Sequence, residues 1–167
     1  MIGLALRTLL VLQLCALDSF LVGRAGPLAP DLGVAVVVLA GLRLEASAAW
    51  QLLVPLAVGR FALGPEGLAL SAALVGASYI LVARVRLPLV GTRWQLALVL
   101  GFALSLAWSG ARAALLSDLG LDPIGRALPG HVVTALVCPG LVLVLEPVLR
   151  GLRRVPLAEL GVDGGAA

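Results

Sequence analysis

The chain has 167 residues, of which 61% are hydrophobic and 13% are charged, and its formal net charge is +3 at pH 7. Soluble domains carry about 25% charged residues, and a small soluble core cannot bury so large an apolar fraction. The mean hydropathy of +1.12 therefore excludes an ordinary soluble domain and predicts a protein embedded in a membrane.

Six apolar runs are candidate membrane spans, since a spanning helix needs about 20 mostly apolar residues, or about 17 when it is short. In chain order they are Leu4 to Val22, Asp31 to Leu44, Ala46 to Leu63, Gly67 to Ala83, Trp94 to Leu116 and His131 to Leu149. The second run is short, so we expect it to be tilted, partly buried or re-entrant. It forms a tight helical hairpin with the third run, because a few residues separate the two.

Helices are the expected structure of these runs, because backbone groups in lipid must be satisfied within their own segment. The predicted fold class is an all-α integral membrane protein. Residues 1–155 form a six-helix transmembrane domain, and residues 156–167 form a disordered cytoplasmic tail. No small-x-small cleavage site follows the first run, so we expect it to be retained as a helix.

The arginines predict the orientation of the six spans. All twelve basic residues are arginine. Eight fall on the side that holds both termini: Arg7, Arg43, Arg84, Arg86, Arg93, Arg150, Arg153 and Arg154. Three fall on the other side: Arg24, Arg112 and Arg126. This asymmetry follows the positive-inside rule and places both termini in the cytoplasm.

Arg60 is a charge inside the third span, about one helical turn from its predicted outer end. Asp18 occupies the same depth in the first span, so we expect an Asp18–Arg60 ion pair, because a charge within a membrane is tolerated when it is paired. A matching pair is expected at the inner side between Arg7 and Glu146. Structural pairing is the favoured role of these charges, with ligand binding and catalysis as alternatives.

Small residues and prolines indicate where helices approach each other. Gly101, Ser105 and Ser109 recur every four residues, and so do Ala69, Ala73 and Ala77. Such stripes let two helices pack closely, either inside this chain or against a partner protein. Pro55 and Pro139 lie inside predicted spans, where each is expected to kink its helix.

The segment from Leu116 to Gly130 is the longest predicted connection. Its apolar residues, with Leu119, Leu121 and Ile124 among them, predict a segment that lies on the outer membrane surface or docks a partner. Asp118 and Asp122 are spaced for a shared helix face, but Gly120 and Pro123 favour a turn in which the carboxylates cap a short segment.

Motifs for catalysis, metal binding and cofactor binding are lacking in the sequence. His131 is the single histidine, and no HExxH, GxSxG or glycine-rich phosphate loop is present. Cys15 and Cys138 lie in separate apolar runs, which is typical of buried small residues. We therefore expect neither an enzyme nor a bound cofactor.

Three segments of the sequence share features with a known membrane-protein family. PLAPDLGVAVVVLAGL (27–42) opens the second span with Pro30-Asp31. VGRFALGPEG and the following Gly67-Leu68 then lead into a run that ends in ASYILVARVR. The last span ends in LEPVLRGLRR, which is basic at its end. Together these segments resemble the rod shape-determining protein MreD family. Arg60 stands where the family usually has an acid, and Gln51 and Leu52 stand where it commonly has glycine.

The resemblance implies a non-catalytic, multi-pass subunit of the bacterial inner membrane that serves the cell-elongation machinery. Such a subunit binds the periplasmic scaffold MreC. It works with a wall-synthesis glycosyltransferase and transpeptidase, and indirectly with MreB. The family is similar in fold to the substrate-binding subunits of energy-coupling-factor vitamin transporters.

A transporter subunit that binds a small molecule is the alternative function. It requires a polar cavity near the outer side, where Asp18, Arg60 and Asp31 would gather. Another small membrane protein, whether an enzyme or not, is the third hypothesis.

Overall fold

The computed structural model describes residues 2–64, 67–86, 93–115 and 121–153, which form an all-helical bundle. The α-helices of these residues are α1 (Ile2–Ala25), α2 (Leu32–Arg43), α3 (Ala46–Leu63), α4 (Leu68–Arg86), α5 (Arg93–Leu115) and α6 (Leu121–Arg153). A 3₁₀ turn, Gly26–Leu28, follows α1. The predicted tail at 156–167 lies outside the described residues.

Local sequence signals explain where the first helices begin and end. Gly26 has φ +53, the left-handed conformation that commonly terminates a helix, and it stops α1. Asp31 is the N-cap of α2, and its side chain accepts a hydrogen bond from the Val34 amide. The chain turns through Leu44 and Glu45 into α3, so α2 and α3 form the predicted hairpin.

The first and third helices run in the same direction along the bundle. Arg7 contacts Gln51, which is 44 residues later in the chain. Cys15 lies against Gly59 at the same separation. Two contacts with one constant offset require parallel, in-register helices.

The second and sixth helices are also parallel to each other. The Asp31 amide bonds to Thr134, which is 103 residues later, and Arg43 pairs with Glu146 at the same separation. Because α2 is antiparallel to α3 in the hairpin, α2 and α6 run opposite to α1 and α3. The bundle therefore has two ends, each bringing together specific parts of several helices.

Helix α2 lies at the centre of the bundle. Its residues Leu32 to Gly41 are all buried, and they are apolar or glycine. The helix has 12 residues, which corresponds to about 18 Å and is shorter than the hydrocarbon core of a bilayer, about 30 Å. The second helix is short, as the sequence predicts, but it is buried over Leu32 to Gly41 and not only in part.

Long apolar helices surround α2. The described part of the chain has five helices that are long and apolar enough to cross a membrane: Gly3–Leu28, Ala46–Leu63, Leu68–Val85, Trp94–Ala114 and Leu128–Val148. Large apolar side chains such as Phe20, Val99 and Leu136 are about 60% exposed on their outer faces. This pattern is typical of a multi-pass membrane protein.

The sixth helix begins earlier than the sequence predicts. The sequence analysis places a connection over Leu116 to Gly130, but α6 already starts at Leu121 and continues to Arg153. Pro123 indicated a turn, yet it falls in the first helical turn, where proline removes no intrahelical hydrogen bond. Residues 116–120, with Asp118 and Leu119, lie outside the described residues.

The contact of α2 with α4 gives a direct stability prediction. A Cβ added to Gly41 would lie 2.5 Å from Val82 Cγ1, so Gly41→Ala is expected to cost about 1–3 kcal/mol through overpacking. Unfolding by SDS titration in mixed micelles measures this loss.

Gly76→Ala on α4 is the matched control, because no atom lies within 4 Å of the added methyl group. It should leave the free energy of unfolding unchanged or raise it slightly through helix propensity. Equal effects of the two changes would contradict the close approach of α2 to α4.

Candidate functional site

A polar cluster surrounds the buried N-terminus of α2. The first amides of a helix have no partner within the helix, and a buried helix cannot use water for them. Side chains of other helices supply the partners here. Asp18 of α1 accepts the Leu32 amide at 2.8 Å, and Thr134 of α6 accepts the Asp31 amide at 2.8 Å.

Asp31 is the centre of this cluster. Its Oδ1 accepts a hydrogen bond from the Val34 amide at 3.1 Å and from Arg60 Nη1 at 2.8 Å. Its Oδ2 lies 3.4 Å from Arg60 Nη2 and 3.6 Å from Arg112 Nη2. The carboxylate therefore caps the positive end of α2 and ties α2 to α3 and α5.

The Asp31–Arg60 pair is largely shielded from solvent, with side-chain exposures of 17% and 10%. The Arg60 guanidinium carbon lies 4.4 Å from the ring centroid of Trp108, and the cation gains from the aromatic face. Trp108 in turn donates from Nε1 to Ser78 Oγ at 2.7 Å. A Cβ on Gly33 would overlap with the Arg60 guanidinium, so a larger residue there would require this end of Arg60 to shift.

His131 extends the cluster into α6. Its Nδ1 lies 2.7 Å from Ser105 Oγ, and the residue is 4% exposed. Its Nε2 is buried and has no hydrogen-bond partner among the described residues. His131 is therefore a buried polar group with unused hydrogen-bonding capacity.

Two adjoining cavities open beside the cluster. One has a volume of about 160 Å³ and is lined by Asp31 and His131. The other has a volume of about 270 Å³ and is lined by Cys15 and Gly59. Both are bordered by Asp18, Arg60 and Arg112. Asp18, Asp31 and Arg60, which the sequence analysis expected to gather at a small-molecule site, thus line one cavity.

The predicted Asp18–Arg60 ion pair stays a prediction. Both residues line the same cavities, and Arg60 has a described partner in Asp31. The sequence analysis placed Asp31 near these residues only for the ligand-binding alternative. Asp31 stands immediately before an apolar run, which is the position of an N-cap. A buried carboxylate at that position needs a cation beside it.

At the opposite end of the bundle, the partners differ from those predicted. The sequence analysis paired Arg7 with Glu146. In the structure Arg7 donates to the Gln51 side chain, while Arg43 Nε lies 3.0 Å from Glu146 Oε2. The reason is the helix arrangement, since α1 packs along α3 and α2 packs along α6.

The predicted partner stripe of α5 packs inside this chain. Gly101 lies against Ala135 and Cys138 of α6, and Ser105 is buried against His131. Ser109 borders the smaller cavity. A stripe of small residues allows close packing with any neighbouring helix, and for α5 that neighbour is α6. Gly101 and Ser105 are therefore not available to a partner protein.

The remaining predicted interface residues are only partly described. Leu121 and Ile124 lie in the first turns of α6, and Leu119 lies outside the described residues. By contrast, Ala69, Ala73 and Ala77 are exposed on the outer face of α4. The α4 stripe is thus open to contact with another helix.

Within the described ranges, no group of three or more His, Cys, Asp or Glu side chains is placed to hold a metal ion. Cys15 and Cys138 are free thiols, both buried as predicted. The chemistry of the cluster is therefore that of paired charges and hydrogen bonds. Arg112 and Thr134 were missed as cluster members, although each falls near the predicted outer end of its span.

Comparison with protein-family models, with curated proteins and with solved structures gives no match to this chain.

Proposed function

We propose that this protein is a non-catalytic subunit of a bacterial cell-elongation complex. In this proposal it lies in the inner membrane, binds an MreC-type periplasmic scaffold and helps to organise peptidoglycan synthesis. It acts with a glycosyltransferase, a transpeptidase and, indirectly, MreB. The proposal rests on the resemblance of the sequence to the MreD family.

One structural observation supports the proposal. Pro30-Asp31, the dipeptide that carries the resemblance most clearly, opens the central helix of the bundle. Asp31 caps that helix and contacts Arg60, Arg112 and Thr134. The motif therefore has a structural role, because it starts the central helix and links it to its neighbours. Such a role is expected if the bundle has the fold of the family that the sequence resembles.

Co-purification tests this function. The tagged chain is co-expressed with the MreC-type scaffold of the same genome, extracted in mild detergent and captured. We expect the scaffold to be retained and an unrelated membrane protein of similar size to be lost. A well-folded chain that captures neither the scaffold nor any elongation enzyme would contradict the proposal.

The outer stripe of α4 is the contact surface in this proposal. Ala73→Leu adds bulk where another helix would approach, so it should weaken scaffold capture without lowering thermal stability. Ser105→Leu is the matched change on the buried stripe, and it should lower stability because it displaces the contact with His131. If Ala73→Leu leaves capture unchanged, the scaffold does not bind through this stripe.

The proposed topology has six crossings, with α2 as the short second crossing and both termini in the cytoplasm. A cysteine at Ala127 should react with an impermeant reagent in intact cells, and one at Ala166 should not. Native Cys15 and Cys138 are buried and should not react with the reagent. The reverse labelling pattern, or labelling at both sites, would contradict this topology.

A small-molecule-binding transporter subunit is the second candidate function. The observation that favours it is the pair of cavities beside Asp18, Arg60 and Arg112. Mass spectrometry of the extract after denaturation should then show a water-soluble compound in stoichiometric amount. A purified, stable protein that releases no such compound would argue against this candidate.

A further inference from the structure

The two cavities beside the polar cluster differ in chemistry. The smaller lobe, about 160 Å³, includes Asp31 and His131 in its lining. The larger lobe, about 270 Å³, is lined mainly by small and apolar residues of α1 and α3. Because Asp18, Arg60 and Arg112 border both lobes, one ligand with a polar end and an apolar end would fill them together.

The polar lobe carries both signs of charge. Asp18 and Asp31 stand against Arg60 and Arg112. A simple anion would meet the two carboxylates, and a simple cation would meet the two guanidinium groups. A zwitterion suits the lobe better, because it adds no net charge to a cluster in which Asp31 already contacts Arg60 and Arg112.

His131 gives a second, independent indication of a ligand. It borders the polar lobe and is 4% exposed, yet its Nε2 has no hydrogen-bond partner in the described part of the chain. A buried polar atom without a partner is costly. A turn of the ring toward the lobe would let a ligand there bond that atom.

The larger lobe is bordered by apolar side chains that are also exposed. Val22 of α1 and Leu63 of α3 line it, and they are 56% and 49% exposed. An acyl chain can therefore lie along these two side chains.

We propose that the two lobes bind a zwitterionic phospholipid with a primary ammonium headgroup, of the phosphatidylethanolamine type. The phosphate lies toward Arg112 and the ammonium toward Asp18, while an acyl chain follows Val22 and Leu63. The site is independent of the assembly role proposed above. It competes with the transporter alternative, whose ligand would occupy the same space.

Lipid retention by the purified chain tests the proposal. The protein is delipidated in detergent, exposed to equal amounts of dioleoyl phosphatidylethanolamine and dioleoyl phosphatidylglycerol, and examined by native mass spectrometry. We expect a preference of about tenfold or more for the ethanolamine lipid, because one charge-assisted hydrogen bond distinguishes the two headgroups. Equal retention of the two lipids by the wild-type protein would overturn the proposal.

Asp18→Asn isolates the role of the carboxylate. Asparagine keeps an oxygen that can accept the Leu32 amide, but it removes the negative charge. The variant should therefore retain about equal amounts of the ethanolamine lipid and the glycerol lipid. Glu45→Gln, an acid replaced at the opposite end of the bundle, is the matched control and should keep the preference. A preference that survives Asp18→Asn would overturn the assigned orientation.

Trp108 provides a readout that requires no change in the cluster. Trp50 and Trp94 are 48% and 55% exposed, so phenylalanine at both positions leaves buried Trp108 as the fluorescent reporter. Brominated phosphatidylethanolamine should quench it more than brominated phosphatidylglycerol. Equal quenching by the two lipids would contradict specific binding.

A soluble headgroup distinguishes the source of the zwitterion. Glycerophosphoethanolamine carries the same charges without acyl chains, so it should displace the bound lipid at least 100-fold less effectively than the intact lipid does. Displacement at similar concentrations would show that the site takes a soluble zwitterion, and it would overturn the lipid assignment.

Discussion

Replacing Asp31 with alanine is expected to lower the free energy of unfolding by about 3–5 kcal/mol. The change leaves Arg60 in a largely buried position without the carboxylate that it contacts at 2.8 Å. It also removes the N-cap of α2, which is typically worth about 1 kcal/mol. Both losses act at the same end of the central helix, so the free energy of unfolding of the whole bundle should fall.

Asp31→Asn separates the two effects. Asparagine is also a good N-cap, so it should preserve the bond to the Val34 amide while it removes the charge. SDS titration of both variants should show a smaller loss for Asp31→Asn than for Asp31→Ala. A loss for Asp31→Ala below about 1 kcal/mol would contradict a stabilising role of the carboxylate.

Trp108→Ala is the second change with a large expected effect. Trp108 is 1% exposed, covers the Arg60 guanidinium and donates to Ser78. Removing a buried tryptophan side chain typically costs about 3–5 kcal/mol. Here it also removes the aromatic face from Arg60 and leaves buried Ser78 without this donor.

Two further variants identify the origin of that loss. Trp108→Phe keeps an aromatic face for Arg60 but cannot donate to Ser78, so about 1–3 kcal/mol should be lost. Trp94→Ala is the matched control on the same helix, because Trp94 is 55% exposed, and it should cost far less. Similar losses for Trp94→Ala and Trp108→Ala would contradict the packing described for α5.

The helical fold was predictable from the sequence because the apolar runs are long and the bilayer allows few alternatives. The hairpin at Leu44 and the short length of the second helix also followed from the sequence, whereas its burial over Leu32 to Gly41 did not. The start of α6 did not. Gly120 and Pro123 indicated a turn, whereas proline in the first turn of a helix costs no hydrogen bond.

Pairing between charges was harder to predict than the depth of each charge. Asp18 and Arg60 were placed at one depth, and the structure brings both to one cavity. The additional partner, Asp31, depends on the buried start of α2, whose first amides lack partners within the helix and bond to Asp18 of α1 and to Asp31 itself. Sequence spacing within one helix carries no information about such a contact between helices.

Helix neighbours also decided the use of the small-residue stripes. Both stripes have the same four-residue spacing, yet Gly101 and Ser105 face α6, whereas Ala69 and Ala73 face outward. Spacing predicts a smooth helix surface but not the helix that covers it. Which stripe is internal therefore required the three-dimensional arrangement.

The central structural claim is that the start of α2 is held by a coupled Asp31–Arg60 pair. A double-mutant cycle of Asp31→Asn and Arg60→Leu, measured as unfolding free energy in mixed micelles, tests it most directly. A parallel cycle of Asp18→Asn and Arg60→Leu tests the pair that the sequence predicts. We expect the combined Asp31–Arg60 variant to lose about 1–3 kcal/mol less than the two single losses together, because neither charge is then left without its partner. Strictly additive losses at Asp31 and Arg60 would contradict the claim.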